Sequence, residues 1–190
     1  MKFISLLIFL VFFSGVVTAE TKQRVIEIEM KPIGETTNKL VPLVRVPVIE
    51  GFSGYVENKK NMNNHEQFIR LMVETYSSAD TVDGIQKIWD SRSFESVKKM
   101  LSSDPDIFDQ NSKYYSRIEK SKVLGVVLYG SYEIIFVKHK ISGSEEFRER
   151  YYPVYLQDGE RVLSNEIGND YFYQFIVSKI KPDLLERWSK

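Results

Sequence analysis

The sequence predicts an α+β fold in which amino-terminal helices pack on a curved antiparallel β-meander, with an extended amino-terminal arm and a carboxy-terminal helix. Residues 63–116 repeat apolar side chains at helical spacing, whereas residues 117–167 alternate polar and apolar side chains between tight-turn sequences. Because the strands follow one another along the chain, we expect neighbouring strands to pair antiparallel.

The composition narrows the chemistry that the chain can carry out. The 190 residues contain 26 Lys and Arg, 26 Asp and Glu, two His and no Cys. Without Cys there are no disulfides, thiolate metal sites or cysteine nucleophiles. A net charge near zero argues against nucleic acid or an anionic membrane as the main partner. No phosphate-loop, dinucleotide or metal-ligand pattern is present, so we predict no cofactor and no metal site.

Residues 1–19 are predicted to be a cleaved secretory signal peptide. Lys2 provides the charged start, a short apolar run follows, and Ala19 offers a small residue before a cut at Glu20. A retained anchor is the alternative, and no later segment is apolar for long enough to cross a bilayer. An exported chain without Cys favours the periplasm of a Gram-negative bacterium. We divide the rest into an arm or hairpin, 20–62, and a single domain, 63–190.

The arm contains two β-prone stretches. Arg24–Met30 alternates apolar and polar side chains, and Leu40–Ile49 is β-prone but contains Pro42 and Pro47. Because proline cannot donate to a ladder, these prolines predict an edge strand or an extended arm. Residues 34–38 would form the turn between the stretches. The hairpin either lies on the main body or projects to pair with a partner's sheet edge.

Four helices are predicted between the arm and the sheet. Each starts at a capping residue: Asn63 or Asn64, Asp80 or Thr81, Ser93, and Asp104. At the last of these, Pro105 suits the first helical turn, and we expect the Asp104 carboxylate to accept from the exposed amides.

The sheet is predicted to contain four strands in its meander: Arg117–Leu128, Tyr132–Ile141, Glu146–Leu156 and Arg161–Leu163. The turn sequences between them are Gly130-Ser131, Ser142-Gly143-Ser144 and Asp158-Gly159. Pro153 inside the third of these strands predicts an edge or a bulge.

A carboxy-terminal helix is predicted after the sheet. Asn169 can cap it, and Lys181-Pro182 ends it. Leu184, Leu185 and Trp188 would then form a last docked turn.

Residues for acid–base chemistry are few. His65 and His139 are expected to be solvated or hydrogen-bonded surface residues, because one falls in a first helical turn and the other lies between two lysines. Glu119 and Glu133 are the acidic candidates within the sheet, and nothing beside them marks either as more than an ordinary strand residue. The sequence therefore predicts no catalytic residues.

Tyrosine and phenylalanine are unusually frequent, with 11 Tyr and 12 Phe. Tyrosine combines a rigid apolar ring with a hydroxyl, which suits both pocket walls and protein interfaces. It is also a good strand residue that covers half-exposed sheet without further function. If the tyrosines bind a ligand or partner, the candidate residues are Tyr114, Tyr115, Tyr132, Tyr151 and Tyr155.

The element order, the Trp89-Asp90 segment before a short helix, and the stretch from Tyr151 to Arg161 with its Asp158-Gly159 turn resemble the nuclear transport factor 2-like superfamily. The resemblance covers residues 64–180. It implies a cone in which the sheet curls around the first helix and leaves a pocket. The arm before residue 63 and the carboxy-terminal helix are not general features of that superfamily.

Three functions remain open at this point. The first is a non-catalytic binding or interaction module of the cell envelope that uses an aromatic-rich concave sheet against a small apolar ligand, a partner protein or a second copy. The second, implied by the resemblance, is a cofactor-independent isomerase or lyase of the ketosteroid isomerase kind. The third is an immunity-like or envelope-assembly protein that acts through its arm. Fold alone does not select among them.

Overall fold

The computed structural model describes residues 21–29, 43–50, 52 and 64–180. The predicted signal peptide, the turn at residues 34–38 and the last turn with Leu184, Leu185 and Trp188 lie outside these residues. None of the described helices is both long and apolar enough to cross a lipid bilayer.

Within the described residues, six antiparallel strands form one sheet in sequence order. Their bounds are β1 Lys22–Glu29, β2 Leu43–Glu50, β3 Ile118–Tyr129, β4 Tyr132–Ile141, β5 Phe147–Gln157 and β6 Glu160–Leu163. The predicted α+β class, with helices before an antiparallel meander, is therefore confirmed. At the β5–β6 turn Asp158 and Gly159 have φ angles of 53° and 84°, the conformation that the Asp-Gly pair predicted.

The helices are α1 Asn64–Ser78, a 3₁₀ helix Val82–Ile88, α2 Ser91–Ser103, α3 Pro105–Ser116 and α4 Tyr171–Lys179. Two predicted caps were placed wrongly. Asp90, rather than Ser93, caps α2, and its carboxylate accepts from Arg92 N at 3.0 Å and Ser93 N at 2.9 Å. Asp170, rather than Asn169, caps α4 and accepts from Tyr173 N at 2.9 Å.

A third cap differs in its chemistry rather than its position. Asp104 precedes α3 as predicted, but its carboxylate accepts no capping hydrogen bond. Pro105 fills the first helical position, where it has no N–H to offer, so the start of α3 depends on proline geometry rather than on the aspartate side chain.

The two faces of the sheet carry different layers. One face, called here the helical face, packs against α1, the 3₁₀ helix, α2 and α3 through buried residues that include Ile69, Met72, Val126 and Ile135. The other, called the opposite face, packs against α4 through Ile176 and Ile180. The side chains of β4 alternate between the two faces: Ile134 and Phe136 belong to the α4 side, and Ile135 and Val137 to the helical side.

The arm is joined to the sheet through β2. β1 and β2 pair along their whole length, but β2 pairs with β3 only at Val48 and Ile49. The stretch was predicted as an edge strand or an extended arm. The edge alternative was wrong, because β2 lies between β1 and β3, and β1 is the outermost of the described strands on this side of the sheet. The pairing of β2 with β3 begins at Val48, directly after Pro47, whose backbone has no N–H to donate to β3.

Candidate functional site

The five candidate tyrosines divide between the two sides of the sheet. Tyr114 and Tyr115 lie in the last turn of α3, on the helical side. Tyr132, Tyr151 and Tyr155 share the opposite face, because Tyr132 is directly opposite Tyr155, and Phe136 is opposite Tyr151, in the β4–β5 ladder. The structure brings the last three together and separates them from the first two.

Tyr132, Tyr151 and Tyr155 form what we call the aromatic strip. The rings of Tyr132 and Tyr155 have centroids 5.5 Å apart, and Tyr151 contacts Phe136 at 6.3 Å and Tyr173 of α4 at 6.2 Å. Tyr151 is 45% exposed and Tyr155 37% exposed. The rings of the strip thus pack against neighbouring aromatic side chains of the protein on one side and are exposed to solvent on the other.

The strip is open because α4 covers only part of the opposite face. The buried cluster beneath α4 draws its residues from β1 to β4, from Ile167 in the segment before α4, and from α4 and its C-cap Ile180, whereas the β5 residues of this face stay accessible. The first turn of α4 adds Tyr171 and Phe172, which are 71% and 44% exposed. Large apolar side chains grouped on a surface mark an interaction site more often than isolated ones do.

Carboxylates hold Tyr132, at one end of the strip, and the neighbouring Tyr129, which lies outside it. The Tyr132 hydroxyl donates to Glu166 Oε2 at 2.7 Å, and the Tyr129 hydroxyl donates to Asp170 Oδ1 at 2.6 Å. Burial and the neighbouring Glu166 carboxylate raise the pKa of Tyr132 to about 12, so the hydroxyl stays protonated and can keep donating. These bonds reduce the freedom of the rings and lower the entropy that a partner must remove on binding.

A second group of polar side chains lies inside the helical face, where Glu133, Arg161 and His65 meet. Arg161 holds the Glu133 carboxylate with both arms of its guanidinium, Nε to Oε2 at 2.6 Å and Nη2 to Oε1 at 3.0 Å. His65 Nε2 lies 3.1 Å from Arg161 Nη2 and 3.2 Å from Glu133 Oε2. Phe52 packs against the His65 ring edge-on, with centroids 5.7 Å apart.

The partners of Glu133 determine what it can do chemically. Burial alone would raise its pKa, but the hydrogen bonds from His65 and Arg161, together with the positive charge of Arg161, outweigh burial and lower the pKa to about 2. A carboxylate with so low a pKa is a weak base near neutral pH. We therefore assign this cluster to holding β4, β6 and α1 together.

A third group surrounds His139, deep in the same face. Ser121 Oγ lies 2.8 Å from His139 Nδ1, and the Tyr152 hydroxyl lies 2.8 Å from His139 Nε2. Tyr115 extends the chain with its hydroxyl 3.5 Å from that of Tyr152, and its ring stacks on Tyr76 at 4.5 Å. Tyr115 is thus a partly buried residue whose ring packs against the core on the helical side, away from Tyr132, Tyr151 and Tyr155.

Burial keeps the His139 group uncharged. Desolvation, with a smaller contribution from Arg150, lowers the pKa of His139 to about 4. Burial raises the pKa of Tyr115 to about 12 and that of Tyr152 as well. Both ring nitrogens and the hydroxyls of Ser121 and Tyr152 have partners within the cluster, so the group is a satisfied core network.

Both histidines were predicted wrongly as surface residues. His65 is 8% exposed and His139 is fully buried. His139 shares its face with Ile135 and Val137, and that alternation was the signal that placed it inside. His65 precedes Phe68 and Met72 at helical spacing, which likewise indicated the buried side of α1.

The β1–β2 hairpin carries a shallow depression of about 510 Å³, lined by Arg24, Val25, Ile26, Glu27 and Arg45. Its two arginines are each matched by a carboxylate. Arg24 lies 2.7 Å from Glu50 and Arg45 lies 3.0 Å from Glu27. Within the described ranges, no three His, Asp or Glu side chains converge to hold a metal ion.

Comparisons with known proteins found no matching family model, no matching curated protein and no matching solved structure.

Proposed function

We propose that this chain is an exported, non-catalytic interaction module of the cell envelope that binds a partner polypeptide through the aromatic strip. The observation that carries the proposal is the exposure of Tyr151 and Tyr155 on a sheet face that α4 leaves partly uncovered. Tyrosine is enriched at protein interfaces because its ring buries a large area at low entropic cost while its hydroxyl accepts or donates one hydrogen bond.

A polypeptide fits this surface better than a small ligand does. Small molecules bind in concave sites that cover most of their surface. The strip instead follows two adjacent strands, from the Tyr132–Tyr155 pair to Tyr151, with Pro153 between the two β5 tyrosines. An elongated surface of this kind matches a segment of chain laid along it.

The isomerase alternative receives less support from the buried polar groups. It requires a carboxylate with base strength within hydrogen-bond reach of an enclosed tyrosine. Glu133 bonds to Arg161 and His65, whereas Tyr152 bonds to His139 and Tyr115. The Tyr152 backbone lies opposite Ile135, but its hydroxyl is directed to His139, six residues beyond Glu133 on β4. The two halves of such a catalytic set are therefore apart.

The proposal includes the superfamily cone and the periplasmic location. Two features support a bent sheet: the β3–β4 register shifts between Ile118 and Lys120 and again between Val123 and Gly125. Such shifts increase local twist and bend the strand. The periplasmic location depends on the predicted signal peptide at residues 1–19.

Site-specific photo-crosslinking tests the proposal in cells that express the chain from its own gene. p-Benzoylphenylalanine replaces Tyr151 or Tyr155 in turn, and in matched controls replaces Lys87 or Lys99, which are exposed on the helical side. We expect one polypeptide adduct of the same mass from both strip positions and none from the controls. Adding Tyr155→Ser should reduce the adduct formed from position 151.

Two results would reject the proposal. One is equal crosslinking from the strip and from the control lysines, which would indicate random collisions. The other is the absence of any polypeptide adduct from either strip position while the protein is folded and exported.

A further inference from the structure

The outer edge of β5 is interrupted by a proline. β6 pairs with β5 only between Val154 and Gln157. Directly before this ladder, the Ser164 amide donates to the Pro153 carbonyl at 3.0 Å. The N and O atoms of one strand residue point to the same side, so a normal residue at 153 would return a bond to Ser164. Proline has no N–H, and the ladder ends there.

On the amino-terminal side of Pro153, β5 forms an edge of the sheet. Among the described strands, none pairs with residues 148–152 on the side away from β4. Glu149 and Tyr151 have the parity of Pro153, so their backbone N–H and C=O groups point outward along this edge. The Glu149 carbonyl accepts from the guanidinium of Arg150 at 2.9 Å, a local bond that a docked strand would replace. Such an edge is a template for an added strand.

The side chains along this edge carry charge in an alternating pattern. Arg148 and Arg150 are exposed on the helical side, and Glu149 and Tyr151 lie on the opposite side. Arg150 stands over the Tyr114 ring at 5.2 Å. Arg148 has an exposed carboxylate, Glu146, at 3.5 Å, a separation at which a surface pair contributes little. The edge therefore presents two guanidinium groups two residues apart.

This pattern disfavours a second copy of the chain as the added strand. In an antiparallel pair, opposite residues must both point toward the partner or both point away. Two such edges paired along this segment therefore place Arg148 opposite Arg150, or an arginine opposite itself. Like charges directly opposite each other destabilise a ladder, whereas opposite charges stabilise it.

We propose that the β5 edge accepts an extended acidic segment of the partner polypeptide as an antiparallel seventh strand. This inference rests on the proposed function and names the chemistry of the partner. Acidic side chains at alternate positions would face Arg148 and Arg150. The residues at the other positions would face Glu149 and Tyr151. The one beside Tyr151 would continue the aromatic strip with an apolar side chain, and the N–H groups at these positions would bond to the β5 edge.

Peptide binding to the purified chain tests this inference. The probe is a short fluorescent peptide in which glutamate alternates with valine, and its binding is measured by anisotropy at low and at physiological salt. Two peptide controls match it: one with lysine for glutamate, and one with N-methylvaline for valine, which keeps the charges but blocks the strand hydrogen bonds. We expect only the unmodified acidic peptide to bind.

Charge reversal at the edge supplies the protein controls. The double variant Arg148→Glu/Arg150→Glu should bind the acidic peptide about tenfold more weakly, because two favourable cross-strand pairs become repulsive. The double variant Lys87→Glu/Lys99→Glu makes the same change in net charge on exposed helical residues and should bind as the parent does. Circular dichroism checks that both variants keep the fold.

Failure of the acidic peptide to bind overturns the inference, as does equal binding of the N-methylated or lysine peptide. Equal loss in the two charge variants also overturns it, since net charge rather than the edge would then be responsible. None of these results contradicts the proposed function if crosslinks still form at positions 151 and 155. Absence of those crosslinks rejects the proposed function by a separate measurement.

Discussion

The two faces of the sheet use polar and aromatic groups in contrasting ways. On the helical face, Glu133, Arg161 and His65 bond to one another in one largely buried cluster, and His139 and Tyr152 bond to each other in a second. On the opposite face, Tyr151 and Tyr155 are exposed, with their rings held from below. The ionisable side chains of the helical face therefore bond to each other and stabilise the fold. The tyrosines of the opposite face instead expose their ring surfaces to solvent.

The largest expected effect comes from breaking the buried ion pair on the helical face. Arg161→Met leaves the Glu133 carboxylate buried with its main partner removed, and we expect the free energy of unfolding to fall by about 3 to 5 kcal/mol. The double variant Glu133→Leu/Arg161→Met removes the stranded charge and should recover much of this loss. Urea unfolding monitored by circular dichroism measures both. A loss below 1 kcal/mol in the single variant would mean that the pair behaves as a surface pair.

The second effect concerns pH and His139. The folded pKa of His139 is about 4, below the ordinary value near 6.5 that the unfolded chain shows. The unfolded chain therefore binds more protons between these values, and stability should fall by about 3 kcal/mol as the pH drops from 6.5 to 4. Glu133, whose folded pKa is about 2, should add a further loss between about pH 4.5 and 2.

Denaturant unfolding at several pH values separates these two groups. His139→Gln cannot titrate, so the slope of stability between pH 6.5 and 4 should flatten in this variant while the loss below pH 4.5 remains. An unchanged slope would assign the pH dependence to other groups.

The smallest expected effect on stability belongs to the opposite face. Tyr155→Ser removes a partly exposed ring and its contact with Tyr132, and the free energy of unfolding should fall by less than about 1 kcal/mol. The same variant should nevertheless weaken crosslinking from position 151. A stability loss as large as that of Arg161→Met would show that the strip is core rather than interface.

Much of the fold was predictable because it depends on local rules. The hairpins followed from short turn sequences such as Asp158-Gly159, and the helices from 3.6-residue spacing. The predicted caps missed the actual caps, Asp90 and Asp170, by three residues and one residue. Several neighbouring residues have side chains that can cap a helix, and only the tertiary contacts choose among them.

The site was less predictable because it depends on contacts between distant residues. Arg161 contacts Glu133, 28 residues away in the sequence, and His65, 96 residues away. Helix and strand periodicity predict contacts only between residues close in sequence, so they do not predict these. Strand parity placed Tyr132 with Phe136, but it did not reveal which face α4 would cover. Tyr115 therefore looked equivalent to Tyr155 in the sequence, although one stacks on Tyr76 in the core and the other faces solvent.

The ladder between β2 and β3 contains only two residue pairs, and this affects the order of folding and of local unfolding. Val48 pairs with Val127, so the chain must close a loop that contains α1, α2 and α3 before this ladder can form. The strands β3 to β6 meet through short turns and pay much less loop-closure entropy. We expect the meander to form early, the β1–β2 hairpin to dock late, and its amides to exchange with deuterium long before those of β4.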